Sequence, residues 1–393
     1  MIYKKIGGDR VSALGLGNMR LPVVSERGPI DYKAAGDIVR YAYEHGVNYF
    51  DTAYRYHQGE SEAFIGKIMK DYPRDSWYLT SKIPGHMMSY SDGKITGIGY
   101  LTGFEIGSVE SIFEEQINKC GTDYFDIYML HNLSENSFDF YTNEELGLVD
   151  YLDRQKKAGR IRRLGFSSHG RADTIGRFLD WAEGRYQFEA AQIQLNYLDW
   201  TLQDAAAKYD LLTRRDMPVI AMEPVRGGKL ASLGESADAV LKSARPGDSV
   251  ASWAFRWLQA LPNLSVALSG MSTLEQVKEN VELFSARYEP MSESDKGILK
   301  EAVSKVADVI PCTGCRYCAD DCPKRLDIPR LISMYNEASF GARGMFKDAG
   351  DKLSRAEQPS ECVSCGVCKK LCPQGIDVPD IMAKFAAAIK NAR

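Results

Sequence analysis

The sequence predicts an α/β chain: a (β/α)8 TIM barrel followed by a small helical module. Three observations lead there. From the start to about residue 285, short β-branched or aromatic runs alternate with longer helix-like stretches, and eight such repeats fit a closed barrel better than an open sheet. After Pro290 the alternation stops. Of the nine cysteines, all but Cys120 then fall between Cys312 and Cys372.

In chain order the expected strands are Leu14–Asn18, Val47–Asp51, Trp77–Lys82, Phe125–His131, Arg163–Ser167, Ala190–Leu195, Val219–Glu223 and Val266–Ser269. Each is a short apolar run of the kind that forms a buried strand. Helical stretches lie between them, among them Tyr32–Glu44, Ser61–Lys70, Ser108–Lys119, Glu144–Lys157 and Leu274–Phe284. Gly85–Gly107 is glycine-rich with weak periodicity, so it reads as a long loop and candidate lid on the active-site face. Ser292–Ile310 is amphipathic and charged, which predicts a linker helix. Beyond it the chain repeats itself: Cys322-Pro323-Lys324-Arg325-Leu326-Asp327-Ile328-Pro329 echoes Cys372-Pro373-Gln374-Gly375-Ile376-Asp377-Val378-Pro379. The Asp and Pro of each copy signal a helix start, so helices are expected at Arg330–Glu337 and Asp380–Lys390. The expected division is a barrel over 1–290, a linker over 291–311 and a helical module over 312–393.

A length of 393 residues exceeds one ordinary core, which agrees with two domains. At 44% hydrophobic and 26% charged, with a net charge of −4, the composition is that of a globular protein without a nucleic-acid footprint. No apolar run approaches a membrane span. The segment Met1–Gly8 lacks the apolar core of a signal peptide. A cytoplasmic protein is the expectation, and in that setting clustered cysteines point to metal rather than disulfides.

Cys312, Cys315 and Cys318 are followed by Cys322-Pro323, and Cys362, Cys365 and Cys368 by Cys372-Pro373. Both fit C-x2-C-x2-C-x3-C-P, the dicluster ferredoxin signature. Three closely spaced thiolates wrap three irons of a cubane from one loop, and Gly314 and Gly366 relax that loop. The fourth lies past a sharp turn and reaches the other cluster. One 4Fe–4S cluster is thus expected on Cys312, Cys315, Cys318 and Cys372, the other on Cys362, Cys365, Cys368 and Cys322. Structural zinc prefers two separated pairs, a poorer match. Cys120 reads as a small buried residue. The module is therefore expected to be a helical, ferredoxin-like domain.

The barrel segment Asn48-Tyr49-Phe50-Asp51-Thr52-Ala53-Tyr54-Arg55-Tyr56-His57-Gln58-Gly59-Glu60-Ser61-Glu62 resembles the aldo-keto reductase family, as do Leu79-Thr80-Ser81-Lys82 and Tyr128-Met129-Leu130-His131-Asn132. The resemblance spans about residues 1–285, and a subgroup of that family carries an iron–sulfur tail. It implies a catalytic tetrad of Asp51, Tyr56, Lys82 and His131. Carbonyl reduction needs a hydride at carbon and a proton at oxygen. Tyr56 would give the proton, Lys82 would lower the phenol's pKa from near 10, Asp51 would compensate Lys82, and His131 would orient the carbonyl oxygen.

The resemblance also implies contacts to NAD(P)H: Ser167 and Ser168 at the nicotinamide amide, Gln194 and Asn196 after the sixth strand, and Ser269, Gly270, Met271, Glu279 and Asn280 around phosphate and adenine. Three features depart from it. Ser168 replaces the usual Asn. Met222 stands where a Tyr commonly stacks on the nicotinamide. Ser272 and Thr273 stand where many members place a cation for the 2′-phosphate, which weakens a preference for NADP. Clusters pass single electrons and nicotinamides exchange hydrides, so FMN or another flavin is a natural intermediary; Arg20, Arg226, Gly227 and Gly228 are either its phosphate contacts or residues that only shape the loops.

Three functions follow as expectations. The first is a reductase of a carbonyl-like or activated small molecule, coupled to electron transfer through two clusters. The second is a flavin enzyme on the same barrel, fed by the clusters from a ferredoxin-type donor. The third is a catalytically silent electron-transfer or docking subunit. Tyr90, Tyr100, Phe104, Phe138, Phe140 and Tyr141 in the pocket loops suggest a flat or apolar substrate.

Overall fold

The computed structural model describes the whole chain except Arg27, Glu105, 286–288, 307–309, Pro311, Thr313, Asp320, 341–344 and Arg393. Contacts divide it into two compact units. One comprises Met1–Gly97, Gly103–Val225 and Ala254–Met291; the other comprises Ile98–Thr102, Arg226–Trp253 and Ser292–Arg393.

The first unit opens on an antiparallel hairpin, β1 (Tyr3–Ile6) and β2 (Asp9–Ser12). Then come β3 (Leu14–Gly17), β4 (Tyr49–Asp51) and β5 (Tyr78–Ile83), a second hairpin of β6 (Met88–Ser91) and β7 (Lys94–Gly97), and β8 (Phe125–Leu133), β9 (Ile161–Ser168), β10 (Phe188–Gln194), β11 (Val219–Met222) and β12 (Leu264–Ser269). The strands β3-β4-β5-β8-β9-β10-β11-β12 form a closed parallel barrel, β12 pairing back onto β3 through Ala267 and Leu14. All eight expected strands are therefore barrel strands. β3, β8 and β12 are buried along their whole length, as parallel strands covered on both faces must be. Tyr49, Ile127, Met129, Ala190, Ile220, Val266 and Leu268 pack together in one core cluster. Gly15 makes room among them, since a Cβ there would sit 2.7 Å from Val266 and 2.9 Å from Tyr49.

Local capping sets the helices. Asp31 accepts hydrogen bonds from the Lys33 and Ala34 N–H groups and starts the helix Tyr32–Glu44. Thr273 and Gln276 form a capping box on Leu274–Leu283. The long loop expected over Gly85–Gly107 is not structureless. It holds the hairpin β6–β7, turned at Asp92-Gly93 with φ of 50° and 73°, the left-handed pair that a two-residue Asp-Gly hairpin turn requires.

In the second unit the expected linker helix runs over Glu293–Ser304, with Ser292 as its cap; residues 307–309 lie outside the described set. Arg245, just past the helix Glu235–Ala244, holds Asp295 through two bonds of 2.9 Å and one of 3.1 Å. The module's helices are Ile328–Phe340, Met345–Asp351, Val367–Leu371 and Val378–Ala392. The two repeat copies supply matching core residues, Leu326 and Ile328 from one and Ile376 and Val378 from the other, packed with Leu331, Met382, Phe385 and Ile389. Asn336 clamps Ile310 by accepting from its N–H at 3.0 Å and donating to its carbonyl at 2.9 Å. Among the described residues no helix is long and apolar enough to cross a membrane.

Candidate active site and cluster cavities

Asp51 ends β4, Lys82 lies near the end of β5, His131 lies in β8, and Tyr56 opens the short turn Tyr56–Gly59. Side-chain geometry joins them. The Lys82 ammonium is fully buried and donates to Asp51 Oδ1 at 2.5 Å and to the Thr52 carbonyl at 2.8 Å, with the Tyr56 hydroxyl at 3.5 Å. Burial depresses Lys82 and raises Asp51, while their mutual attraction opposes both shifts; Lys82 ends below the ordinary lysine value. The His131 ring meets the Tyr56 ring edge-on, with centroids 5.8 Å apart. Burial, reinforced by His86, Lys82 and His169, pushes His131 well below the usual imidazole range, so it is neutral and can offer one N–H and one lone pair.

Two further layers support these groups, and neither was visible in the sequence. The Gln116 amide, from the helix Val109–Cys120, donates to the Lys82 carbonyl at 3.2 Å and to Ser81 Oγ at 2.9 Å. Ser81 donates to Glu62 at 2.5 Å, and burial raises that carboxyl. His86 packs edge-on to His131 at 4.5 Å between centroids. Burial takes His86 down to about 3, and His169, beside Lys208, to about 4. Tyr56 is followed by His57 and Gln58 at φ of 50° and 59°. This left-handed pair is sterically costly and is anchored where His57 Nε2 accepts from the Leu21 N–H at 3.2 Å.

In the second unit the eight clustered cysteines form two rings. Cys312, Cys315, Cys318 and Cys372 line one cavity; Cys322, Cys362, Cys365 and Cys368 line another. None of the eight is in a disulfide. In each ring the fourth cysteine comes from the other copy of the repeat. Burial and the neighbouring thiols push Cys318 well up and Cys368 to about 11. Four convergent sulfurs fit a thiolate-ligated cluster. Gly314 and Gly366 both adopt positive φ, 70° and 75°, which is the loop relaxation expected of them.

The profile of the aldo/keto reductase family matches residues 13–296. The chain belongs to the aldo/keto reductase family. A 4Fe-4S dicluster domain profile matches residues 311–377. Similar proteins include L-galactose dehydrogenase of Arabidopsis thaliana, 28% identical over 294 residues that cover 70% of this chain and 84% of that protein. NADH-specific methylglyoxal reductase of Escherichia coli is 26% identical over 306 residues, covering 70% of this chain and 89% of that protein. Among solved structures, an aldo-keto reductase from Bacillus halodurans in its holo form superposes with a TM-score of 0.58 at 24% identity, covering 77% of this chain and 96% of that one. A thermostable aldo-keto reductase bound to the inhibitor epalrestat gives 0.59 at 20% identity, covering 77% of this chain and all of that one. These two show the fold.

In this aldo/keto reductase several positions expected to touch a cofactor are already engaged. Ser168 donates to the Leu133 carbonyl at 2.6 Å and accepts from the Gly170 N–H at 3.0 Å. Ser167 accepts from the Asn132 N–H at 2.9 Å. Gln194 and Asn196 both donate to Asp199 Oδ2 at 2.7 Å, and Asn196 also reaches the Glu223 carbonyl at 3.1 Å. Asp199, which sequence reasoning did not single out, is thus the hub after β10. Partly buried Met222 accepts from Gln192 at 3.8 Å. At the end of β12, Asn280 donates to Ser269 at 3.1 Å. Met271 is buried and Glu279 exposed. Gly270 admits Arg20, whose Cβ would lie 3.2 Å from any added Cβ, and Ser272 donates to the Arg20 carbonyl at 2.7 Å.

Arg226, Gly227 and Gly228 belong to the second compact unit, where Arg226 is fully buried. The aromatic loop residues divide. Tyr141 is buried and donates to the His131 and Ile83 carbonyls at 2.6 and 3.2 Å, and Phe140 is buried as well, so these two are packing rather than substrate wall. Phe138 lies under Arg177, Phe104 is exposed under Arg55, and Tyr90 is partly buried. The side chain of Tyr100 lies outside the described residues. Cys120 is buried.

Proposed function

We propose that the barrel reduces a carbonyl-like small molecule with Tyr56 as proton donor and that the C-terminal module carries electrons through two 4Fe–4S clusters. The observation that carries the first part is the buried Lys82 ammonium, shared between Asp51, the Thr52 carbonyl and the Tyr56 hydroxyl. A cation beside a phenol favours the phenolate and so eases loss of its proton. Tyr56 gives its proton to the substrate oxygen, Asp51 keeps Lys82 charged, and neutral His131 donates to the same oxygen. Gln116 donates to the Lys82 carbonyl and is itself held by Glu62.

A reduced nicotinamide, when bound, supplies the hydride, so that carbonyl, NAD(P)H and a proton become alcohol and NAD(P)+. Similarity to the NADH-specific methylglyoxal reductase of Escherichia coli supports NADH, as does the absence of a cation at Ser272-Thr273. Arg20 and Ser269–Met271, with Asn280 behind them and Glu279 outside, are the residues that would receive its phosphate and adenine end. Cys312, Cys315, Cys318 and Cys372 would hold one cluster and Cys322, Cys362, Cys365 and Cys368 the other. Each would pass one electron, a transfer separate from the two-electron hydride step, which the nicotinamide supplies in full. An electron carrier of the ferredoxin class is the matching partner, and free thiol ligands suit a cytoplasmic setting. The division into barrel 1–290, linker 291–311 and module 312–393 is part of the same reading.

Tyr56→Phe tests it. Reduction of small aldehydes by NADH should fall by about 100-fold or more, with iron content unchanged. Wild-type activity in that variant would overturn Tyr56 as the proton donor, and a wild-type protein that reduces no aldehyde would return the chain to the silent-subunit reading. A spectrum taken after anaerobic purification should show cluster absorbance without flavin bands. Stoichiometric flavin would replace nicotinamide as the barrel's hydride donor.

A further inference from the structure

Tyr56 opens a strained piece of backbone. The two residues after it, His57 and Gln58, lie at φ of 50° and 59°, and Gly59 follows at 92°. Nowhere else among the described residues do two adjacent non-glycine residues take positive φ. Such a run persists only where its surroundings hold it. At its far end the Glu60 N–H donates to the His57 carbonyl at 3.1 Å, and the Glu60 carboxylate accepts from the Ile30 N–H at 3.0 Å. At its near end the hold is the His57 ring, whose Nε2 accepts from the Leu21 N–H at 3.2 Å. Only a neutral ring can accept there, and burial lowers the His57 pKa against the pull of Glu60.

The donor follows a short turn, Asn18–Arg20, that comes directly after β3. The same turn reaches two other parts of the site. Asn18, fully buried, donates to the Asp51 carbonyl at 3.0 Å. Exposed Ser272, just past β12, donates to the Arg20 carbonyl at 2.7 Å. That carbonyl and the Leu21 N–H are the two ends of one peptide group. The group is planar and rigid, so its oxygen cannot turn toward Ser272 without moving its N–H against His57. Its two hydrogen bonds also polarise one another.

We infer that His57 is a positioning residue for Tyr56, and that the Arg20–Leu21 peptide joins it to Ser272, so that the loop beside the cofactor's phosphate end also sets the turn that carries the proton donor. The inference rests on the reading of Tyr56 as that donor. Neither His57 nor Ser272 gives a proton or a hydride; each acts through the backbone between them.

The test uses full-length, cluster-loaded protein. It reads the reduction of glyceraldehyde by NADH, with NADH affinity measured separately by fluorescence titration. His57→Gly keeps a residue suited to positive φ but removes the acceptor. It should lower kcat by about ten-fold or more and leave the aldehyde KM and the NADH affinity nearly unchanged. His57→Gln returns an accepting oxygen close to the place of Nε2 and should recover most of that loss, despite its backbone strain. Ser272→Ala should lower kcat in the wild-type background and add nothing to His57→Gly, because the two act through one peptide. A wild-type kcat in His57→Gly overturns the role of His57, as does a His57→Gln variant no better than His57→Gly. Equal effects of Ser272→Ala in the two backgrounds, or no effect in either, overturn the link through the peptide. If Tyr56→Phe keeps wild-type turnover, the proton-donor reading falls and this inference with it. An inactive Tyr56→Phe beside a fully active His57→Gly sinks the inference alone.

Discussion

Asp51→Asn removes one charge from the barrel centre and changes almost no volume. Lys82 would keep the Thr52 carbonyl at 2.8 Å but lose the carboxylate bonded to it at 2.5 Å. Both partners are essentially inaccessible to solvent, at 0% and 1% exposure, so water cannot take over. Breaking a buried pair by removing one member costs about 3–5 kcal/mol, a large share of the roughly 5–15 kcal/mol that holds a domain together. Lys82 can escape part of that cost by releasing its proton, and burial already favours that direction. Tyr56 then loses the cation at 3.5 Å, and aldehyde reduction should fall by about 100-fold or more. The assay is a double-mutant cycle. Urea unfolding of the barrel and single-turnover reduction are measured for Asp51→Asn, Lys82→Met and the double variant. Stability should drop in Asp51→Asn and largely return in the double variant, which buries no unpaired charge, while all three stay inactive. Full stability and wild-type turnover in Asp51→Asn would refute the claim that this carboxylate compensates Lys82.

Three other outcomes are expected. The barrel's unfolding midpoint should fall as pH drops below about 6.5: buried His131 and the half-buried His86 and His169, all held below the usual imidazole range, take up protons only on unfolding, and each costs at most about 1.4 kcal/mol per pH unit. A midpoint that is flat between pH 7 and 5 would contradict this. Crossed ligation predicts that Cys312→Ser/Cys372→Ser keeps about four irons per chain, whereas Cys362→Ser/Cys372→Ser keeps almost none; the reverse counts would show each run holding its own cluster. Arg245→Ala strips Asp295, a side chain only 6% exposed. Burial alone would raise that carboxyl, but Arg245 and Ser292 hold it down to about 2. The variant should lose about 1–3 kcal/mol, seen as faster hydrogen exchange over Glu293–Ser304.

What the sequence determined by itself was what short stretches encode. The eight barrel strands were legible because each is a compact apolar run between helical periods, and the cysteine runs because their ligands are contiguous. The candidate tetrad of Asp51, Tyr56, Lys82 and His131 could be proposed because the family resemblance pointed to it and because three of the four stand at strand ends and the other in an adjacent loop. Even the hairpin at Asp92-Gly93 had a local signal, passed over inside a glycine-rich stretch. The tertiary structure decided everything that depends on distant segments meeting. Closure of the ring brings His86 onto His131, sets Gln116 and Glu62 behind Lys82, and ties Gln194 and Asn196 to Asp199. The folding of one repeat copy against the other leaves Cys365 exposed and its counterpart partly buried. No local pattern carries such facts, because periodicity records which way a side chain faces, whereas its partner is chosen by how the whole barrel and the whole duplicated module close.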